Sequence, residues 1–301
     1  MSFKNLWELG EIYNAPLNFF LILLGMSFAK YNYGMFYDWR VIWFAITLTW
    51  IYIAVNVHDN YMDYNHSDDE NFRQNINIIG RENLDIKKVR NVYLFFLFLS
   101  LVFGAILVFY ADFYILLLGL FGLYVGFGYA GGKHPINGMP IAEIVPGTLS
   151  GFMIPLMSAY LVVLGKVSLS INFVILGIIT FLPTVLCVAS GLLVNNTCDL
   201  DEDIKNHRKT LVYYLGKKQS VILLNISVIL IFVWILGLVI LHQVPWTLIF
   251  VLLAIPSMLK TLKSYNKVQD KKTTYVSYIK SMSLIMAGYP LMYFIGILFL
   301  K

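Results

Sequence analysis

The sequence predicts an all-α, polytopic membrane protein, and three observations carry that prediction. Of the 301 residues, 59% are hydrophobic and 13% charged, where a soluble domain holds about 25% charged residues. The shortage is concentrated in nine runs, most of them near the roughly 20 apolar residues that a helix needs to cross a hydrocarbon core. Basic residues fall almost wholly in alternate connections between those runs, the asymmetry expected of a membrane bundle. So many charge-poor runs disfavour the alternative, a soluble all-helical protein with long core helices.

In chain order the runs are approximately 16–33, 41–57, 91–110, 113–129, 142–164, 171–194, 220–241, 246–259 and 276–300. The eighth is short, and Pro256 is expected to kink it. No Gly/Ser linker or low-complexity tract interrupts the chain, so residues 1–301 are expected to form a single domain. The opening, MSFKNLWELGEIYNAP, puts acidic and polar residues ahead of the first apolar run and lacks a signal-peptide cleavage pattern. Cys187 and Cys198 have no metal-ligand spacing, so neither a disulfide framework nor a zinc site is expected.

Counting Lys and Arg orients the bundle. With the N-terminus in the cytoplasm, that side holds Lys4, then Arg73, Arg81, Lys87, Lys88 and Arg90 after the second run. It also holds Lys133, then Lys205, Arg208, Lys209, Lys217 and Lys218 after the sixth, and Lys260, Lys263, Lys267, Lys271, Lys272 and Lys280 after the eighth. The other side keeps Lys30, Arg40, Lys166 and Lys301, a division of 18 to 4. Cytoplasmic N-terminus and loops, with the C-terminus outside, are therefore expected. The net charge of +5 sits in these loops and reports topology; it does not point to nucleic acid, and no protein partner is implied.

Acidic residues share the asymmetry, which the positive-inside rule does not require. Eleven of the 17 fall in or beside two cytoplasmic loops: Asp59, Asp63, Asp68, Asp69, Glu70, Glu82 and Asp85, then Asp199, Asp201, Glu202 and Asp203. Carboxylates this close repel one another unless cations neutralise them. The two clusters share a spacing: Asn56, Asp59 and Asp63 repeat as Asn196, Asp199 and Asp203, 140 residues later. Offsets of three and seven lie on one helical face, so each row presents an amide oxygen and two carboxylates from the end of a membrane helix. The repeat, after runs two and six, hints at a duplicated four-helix unit. A solvated charged helix end is the plain reading of either row alone; both together favour a metal. Magnesium prefers such hard oxygens and is commonly held by one or two carboxylates together with substrate phosphate. Arg208, Lys209 and Lys133 could take diphosphate oxygens that the metal does not reach.

The run from Asn195 to Asp203, followed by Arg208-Lys209-Thr210-Leu211, resembles the second aspartate motif of UbiA-type intramembrane prenyltransferases. It is most similar to their menaquinone branch, the 1,4-dihydroxy-2-naphthoate prenyltransferases. That branch carries Gly-Lys where this chain has His207-Arg208: the positive charge is kept and the glycine turn is not. Its first motif often begins Asn-Asp-Tyr-x-Asp, whereas here Asp59-Asn60-Tyr61-Met62-Asp63 exchanges the first two residue types. Asp63 and Asp69 fall on the family's acidic positions, while Asp59 has the helical spacing alone. Tyr129-Ala-Gly-Gly-Lys133-His-Pro135, followed by Glu143, is similar to the Tyr-x-Gly-Gly-x-x-Pro loop and the Glu that follows it.

The resemblance spans all nine runs. It implies helices around a central cavity open to lipid, and prenyl transfer from a polyprenyl diphosphate to an aromatic acceptor. In the naphthoate branch the prenyl group replaces the ring carboxylate, which leaves as carbon dioxide. Two magnesium ions would hold the diphosphate through Asn56, Asp59, Asp63, Asp69, Asn196, Asp199 and Asp203. Asn196, Lys133, Arg208 and Lys209 would add donors. Asp63 and Asp199 are the leading catalytic candidates. Tyr124 and Tyr129 are candidates for shielding an allylic cation with a ring face, against the plainer reading of packing or an interfacial belt. Glu143 opens run five and is either a proton acceptor or a partner for Lys133. The rival from another class is a cation-coupled transporter, whose site would lie at the bilayer midplane, whereas these acids sit at one face. Within the family the other acceptors are 4-hydroxybenzoate, haem and homogentisate.

Overall fold

The computed structural model describes residues 1–299, and among them the regular structure is entirely helical. Lys301, counted above with the outer basic residues, and the last position of run 276–300 lie outside the described residues. The helices are α1 (Phe3–Leu9), α2 (Pro16–Tyr33), α3 (Arg40–His66), α4 (Ile78–Arg81), α5 (Ile86–Tyr110) and α6 (Phe113–Ala130). They continue as α7 (Ile144–Pro146), α8 (Ile154–Val163), α9 (Ile171–Lys205), α10 (Leu211–Ile240), α11 (Ile255–Lys267) and α12 (Thr274–Ile297). Eight stretches are long and apolar enough to cross a membrane: Ile12–Tyr33, Arg40–His66, Ile86–Tyr110, Phe113–Ala130, Ile144–Val163, Ile171–Lys205, Leu211–Ile240 and Trp246–Lys267. The ninth expected run is helical as α12 but is not among those eight. The chain is a multi-pass helical membrane protein, a form in which most backbone groups at depth find partners within their own helix.

The described residues group into two compact units. Unit one contains residues 1–19, 39–138 and 205–207. Its core is Leu9, Ile53, Ala54, Val57, Ile78, Ile79, Val89 and Phe96, where α1, α3, α4 and α5 converge. Side-chain caps start its helices: Ser2 accepts from the Asn5 N–H, Asn77 from Ile79, Asp85 from Lys87, and Asp112 from Tyr114 and Ile115. Such caps satisfy backbone donors left over at a helix start. An ion pair between Arg81 and Glu8 at 2.5 Å ties α4 to α1.

Unit two contains residues 20–38, 139–204 and 208 to the end of the described residues. All ten residues of α8 are buried. Gly147–Met153, just before it, is π-helical. A Cβ on Gly151 would come within 2.5 Å of the Val185 nitrogen, so only glycine lets this turn lie against α9. In α9, Pro183 cannot donate to the carbonyl of Ile179. The Trp234 indole N–H of α10 takes that carbonyl instead at 2.8 Å, so the proline costs no orphaned acceptor. Run eight differs from expectation in form: Trp246–Ala254 is a 3-10 helix, and Pro256 sits in the first turn of α11, where its missing N–H is not needed. Both helices that carry an acidic row outrun their apolar stretches, α3 as far as His66 and α9 as far as Lys205.

Candidate metal and diphosphate site

The first row belongs to unit one. Asn56, Asp59 and Asp63 all lie within α3, so their spacing places them on one face. Asn56 donates its Nδ2 to the Tyr52 carbonyl at 2.8 Å. Asp59 lies beside His58, with Nδ1 3.7 Å from Oδ1. The His58 ring is held edge-on by Tyr93 and Phe127. Two further amides fasten this end of α3: Asn60 donates to the Leu9 carbonyl at 3.2 Å, and Asn77 donates to the Asn60 carbonyl at 3.1 Å. Asp69 lies past the end of the helix. Its Oδ1 accepts the backbone N–H groups of Asn71 and Phe72 at 2.9 and 3.2 Å, so one of its oxygens caps the following turn.

The Tyr129–Pro135 loop, in the same unit, has a local explanation. The α6 helix ends at Ala130 and Gly132 has φ +88°, a left-handed conformation that favours glycine. A Cβ on Gly131 would come within 2.6 Å of the Phe127 carbonyl and 3.0 Å of the His58 ring. The glycine pair thus lets the loop close onto the histidine that neighbours Asp59. Beyond it Lys133 is exposed and Tyr129 half-buried. Tyr124 is 80% exposed, which suits a surface ring better than a shield for a cation.

The second row belongs to unit two, and α9 carries it unbroken. Asn196 is buried and donates its Nδ2 to Glu143 Oε1 at 2.9 Å. Asn196 is thus a hydrogen-bond partner of the buried Glu143. Asn195 donates to Asp199 Oδ2 at 3.1 Å. Lys271, from the connection between α11 and α12, donates to Asn195 Oδ1 at 2.6 Å and to Asp199 Oδ2. Asp201, on the exposed side, pairs with Lys217 at 2.8 Å. Asp203 is 5% exposed, its Oδ1 stands 3.7 Å from Arg208, and its Oδ2 has no hydrogen-bond partner. Lys209 is exposed.

His207 corrects one expectation. Its φ is +57°, so the backbone turn is made although glycine is absent. The Arg208 N–H then returns to the Asp203 carbonyl at 2.8 Å, which sets its guanidinium beside the carboxylate. Histidine is among the few non-glycine residues that adopt this conformation with some frequency. Lys271 was missed by sequence reasoning. It is one of six basic residues in its stretch, 72 residues from Asp199, and no local pattern sets it apart.

Among the described residues no three His, Cys, Asp or Glu side chains converge as a preformed metal cage. The donor set nonetheless fits magnesium, which is commonly held by one or two carboxylates with water and phosphate completing its shell. Two features of α9 point the same way. An ammonium already takes the Asn195 and Asp199 oxygens, and Asp203 keeps a buried oxygen without a partner.

Comparison with known proteins agrees. The UbiA prenyltransferase family matches residues 18–285. A 1,4-dihydroxy-2-naphthoate octaprenyltransferase of Bacillus subtilis (strain 168) is 27% identical over 268 residues, covering 86% of this chain and 81% of the relative. The apo structure of a UbiA homolog from Aeropyrum pernix K1 superposes with a TM-score of 0.68 at 14% identity, over 90% of this chain and 96% of that one. A UbiA homolog from Archaeoglobus fulgidus, solved with DMAPP and Mg2+, gives 0.63 at 12% identity, over 98% and 100%. At those identities the solved structures show the fold. With the family's match running through nearly the whole chain, this protein belongs to the UbiA prenyltransferase family and is a prenyltransferase.

Proposed function

We propose that this chain transfers a polyprenyl group from its diphosphate to 1,4-dihydroxy-2-naphthoate, with loss of carbon dioxide, to build the demethylmenaquinone skeleton. The observation that carries the reading is at the second row, where the carboxylate of Asp199 and the amide oxygen of the neighbouring Asn195 already turn onto one cation. The naphthoate relative supports the choice of acceptor. Residues 1–301 act as one catalytic domain, since the family match runs through both units.

In this reading Asp63 and Asp199 are the principal metal ligands. Asn56, Asp59, Asp69, Asn196 and Asp203 complete the two rows, and two magnesium ions fit the duplicated spacing. When bound, magnesium supplies a positive charge that stabilises the departing diphosphate. Lys133, Arg208 and Lys209 bind diphosphate oxygens directly. The allylic C–O bond breaks with its electron pair going to diphosphate. The ring carbon that bears the carboxylate forms the new C–C bond, and the carboxylate leaves as carbon dioxide, returning its bonding pair to the ring. Tyr129 offers a ring face to the allylic cation.

Purified protein with labelled prenyl diphosphate should prenylate 1,4-dihydroxy-2-naphthoate, release its carboxyl carbon as carbon dioxide, and stop in EDTA. Transfer to 4-hydroxybenzoate, homogentisate or haem with none to the naphthoate would replace the acceptor. Full turnover in chelator would remove the metal from the mechanism. The nine-span topology is proposed with the N-terminus and both rows cytoplasmic, on the basic-residue asymmetry. A reporter in the connection 268–273 between α11 and α12 should read cytoplasmic and one at the C-terminus outside; the reverse at either site breaks that topology.

A further inference from the structure

Lys271 is placed too firmly for an ordinary surface lysine. Tyr265, fully buried in α11, donates to the Val194 carbonyl at 3.0 Å, which fixes α11 against α9 one residue before Asn195. The chain then turns tightly into α12. Asp270 Oδ1 accepts the Thr273 N–H at 2.8 Å, and the Thr274 hydroxyl accepts the Asp270 N–H at 2.9 Å. The Thr273 hydroxyl also donates to the Asp270 carboxylate, which closes the turn. From it the Lys271 ammonium meets Asn195 Oδ1, Asp199 Oδ2 and, at 4.9 Å, the face of the Tyr275 ring. Amide oxygen, carboxylate oxygen and ring face together make a seat for a cation.

The geometry points to Lys271 as a placeholder cation: it occupies the oxygens of Asn195 and Asp199 until a divalent metal takes them, and must release Asp199 for the second row to load. This rests on the reading of α9 as a metal-binding row. The physical logic is exchange of like for like. A carboxylate row at a helix end is self-repelling, and an ammonium on a four-carbon stem is a mobile point charge that can neutralise it and withdraw. Arginine, with a planar fork that binds carboxylate in two places, would release less readily. The cost falls on metal affinity, because the metal must displace a partner already present.

Manganese binding to the purified full-length chain, followed by electron paramagnetic resonance without prenyl diphosphate, tests this directly. Lys271→Gln, which keeps a polar side chain of similar reach, should bind Mn2+ about tenfold more tightly than wild type. A half-exposed ion pair lost together with its like charge at the site is worth about that factor. Lys271→Arg should bind as weakly as wild type or more so. Adding Asp199→Asn to Lys271→Gln should abolish the gain. If Lys271→Gln binds no more tightly while Asp199→Asn binds more weakly than wild type, the metal row stands and the placeholder falls. If Asp199→Asn leaves wild-type affinity unchanged, or no chain binds Mn2+, the metal reading of α9 falls and takes the placeholder with it.

Discussion

On α3 the acidic stretch has near neighbours in sequence among its contacts: Asn56 turns back to Tyr52, Asp59 sits beside His58, and Asp69 caps the residues that follow it. On α9 the row is met from far away. Lys271 reaches Asn195 and Asp199, Glu143 takes Asn196, and Lys217 reaches Asp201. The same Asn-x-x-Asp-x-x-x-Asp spacing is thus held by two strategies. His58 offers Asp59 a charge only when protonated, whereas Lys271 offers Asp199 a permanent one. A cation arriving at α9 exchanges with a resident charge. At Asp59 an imidazole is among the neighbours.

Substitutions in the two rows should separate what spacing contributes from what the resemblance contributes. Asp199→Ala and Asp63→Ala should each lower the initial rate by about 10²–10³, roughly 3–4 kcal/mol, the loss typical when one element of charge stabilisation is removed. Asp59→Asn, which restores the amide that relatives often carry there, should cost less than about tenfold. Rates against magnesium concentration, with a thermal melt alongside, read both. All three variants should melt as wild type does. An Asp59→Asn variant as slow as Asp199→Ala with an unchanged melt would put Asp59 among the essential ligands and make spacing the better guide.

The smallest expected effect lies at the turn that closes the α9 row. His207 sits at φ +57° with its side chain 83% exposed and 3.9 Å from Asp68. Such a surface pair is worth little, while the left-handed backbone costs a non-glycine residue about 1 kcal/mol. His207→Gly should therefore leave the rate unchanged and stabilise the fold by up to about 1 kcal/mol, read as a higher melting temperature. A lower one would mean that the imidazole contributes more than its exposure suggests.

The bundle was legible because its signal is local. Charge-poor runs of the right length can be read without knowing which helix meets which, and the two rows repeat within eight residues of sequence. Helix continuation was legible too: the row spacing already placed Asp63 and Asp203 on helices that run past the apolar stretches, and α3 and α9 do so. The turn at His207 was invisible because the sequence pattern named glycine, and backbone conformation is not confined to one residue type. Lys271 and the Glu143–Asn196 bond were hidden for another reason. Each joins residues more than 50 positions apart, and nothing in a single loop of lysines tells which one will be turned inward.

The length of α9 has a consequence for the direction of the reaction. Its 35 residues make a helix of roughly 50 Å, against a hydrocarbon layer about 30 Å thick. One continuous rod therefore runs from oil into water, with its acidic row near the wet end. A reactant that joins a long isoprenoid to a highly charged head is at home in neither solvent alone, and such a rod lets each half keep its own. In the proposed reaction, once the bond between them is cut, the fragments differ in solubility: diphosphate partitions into water and the prenylated acceptor into the bilayer. Recombination then requires the two to meet again across a phase boundary, so the products are driven apart by partition, without any machinery devoted to separating them.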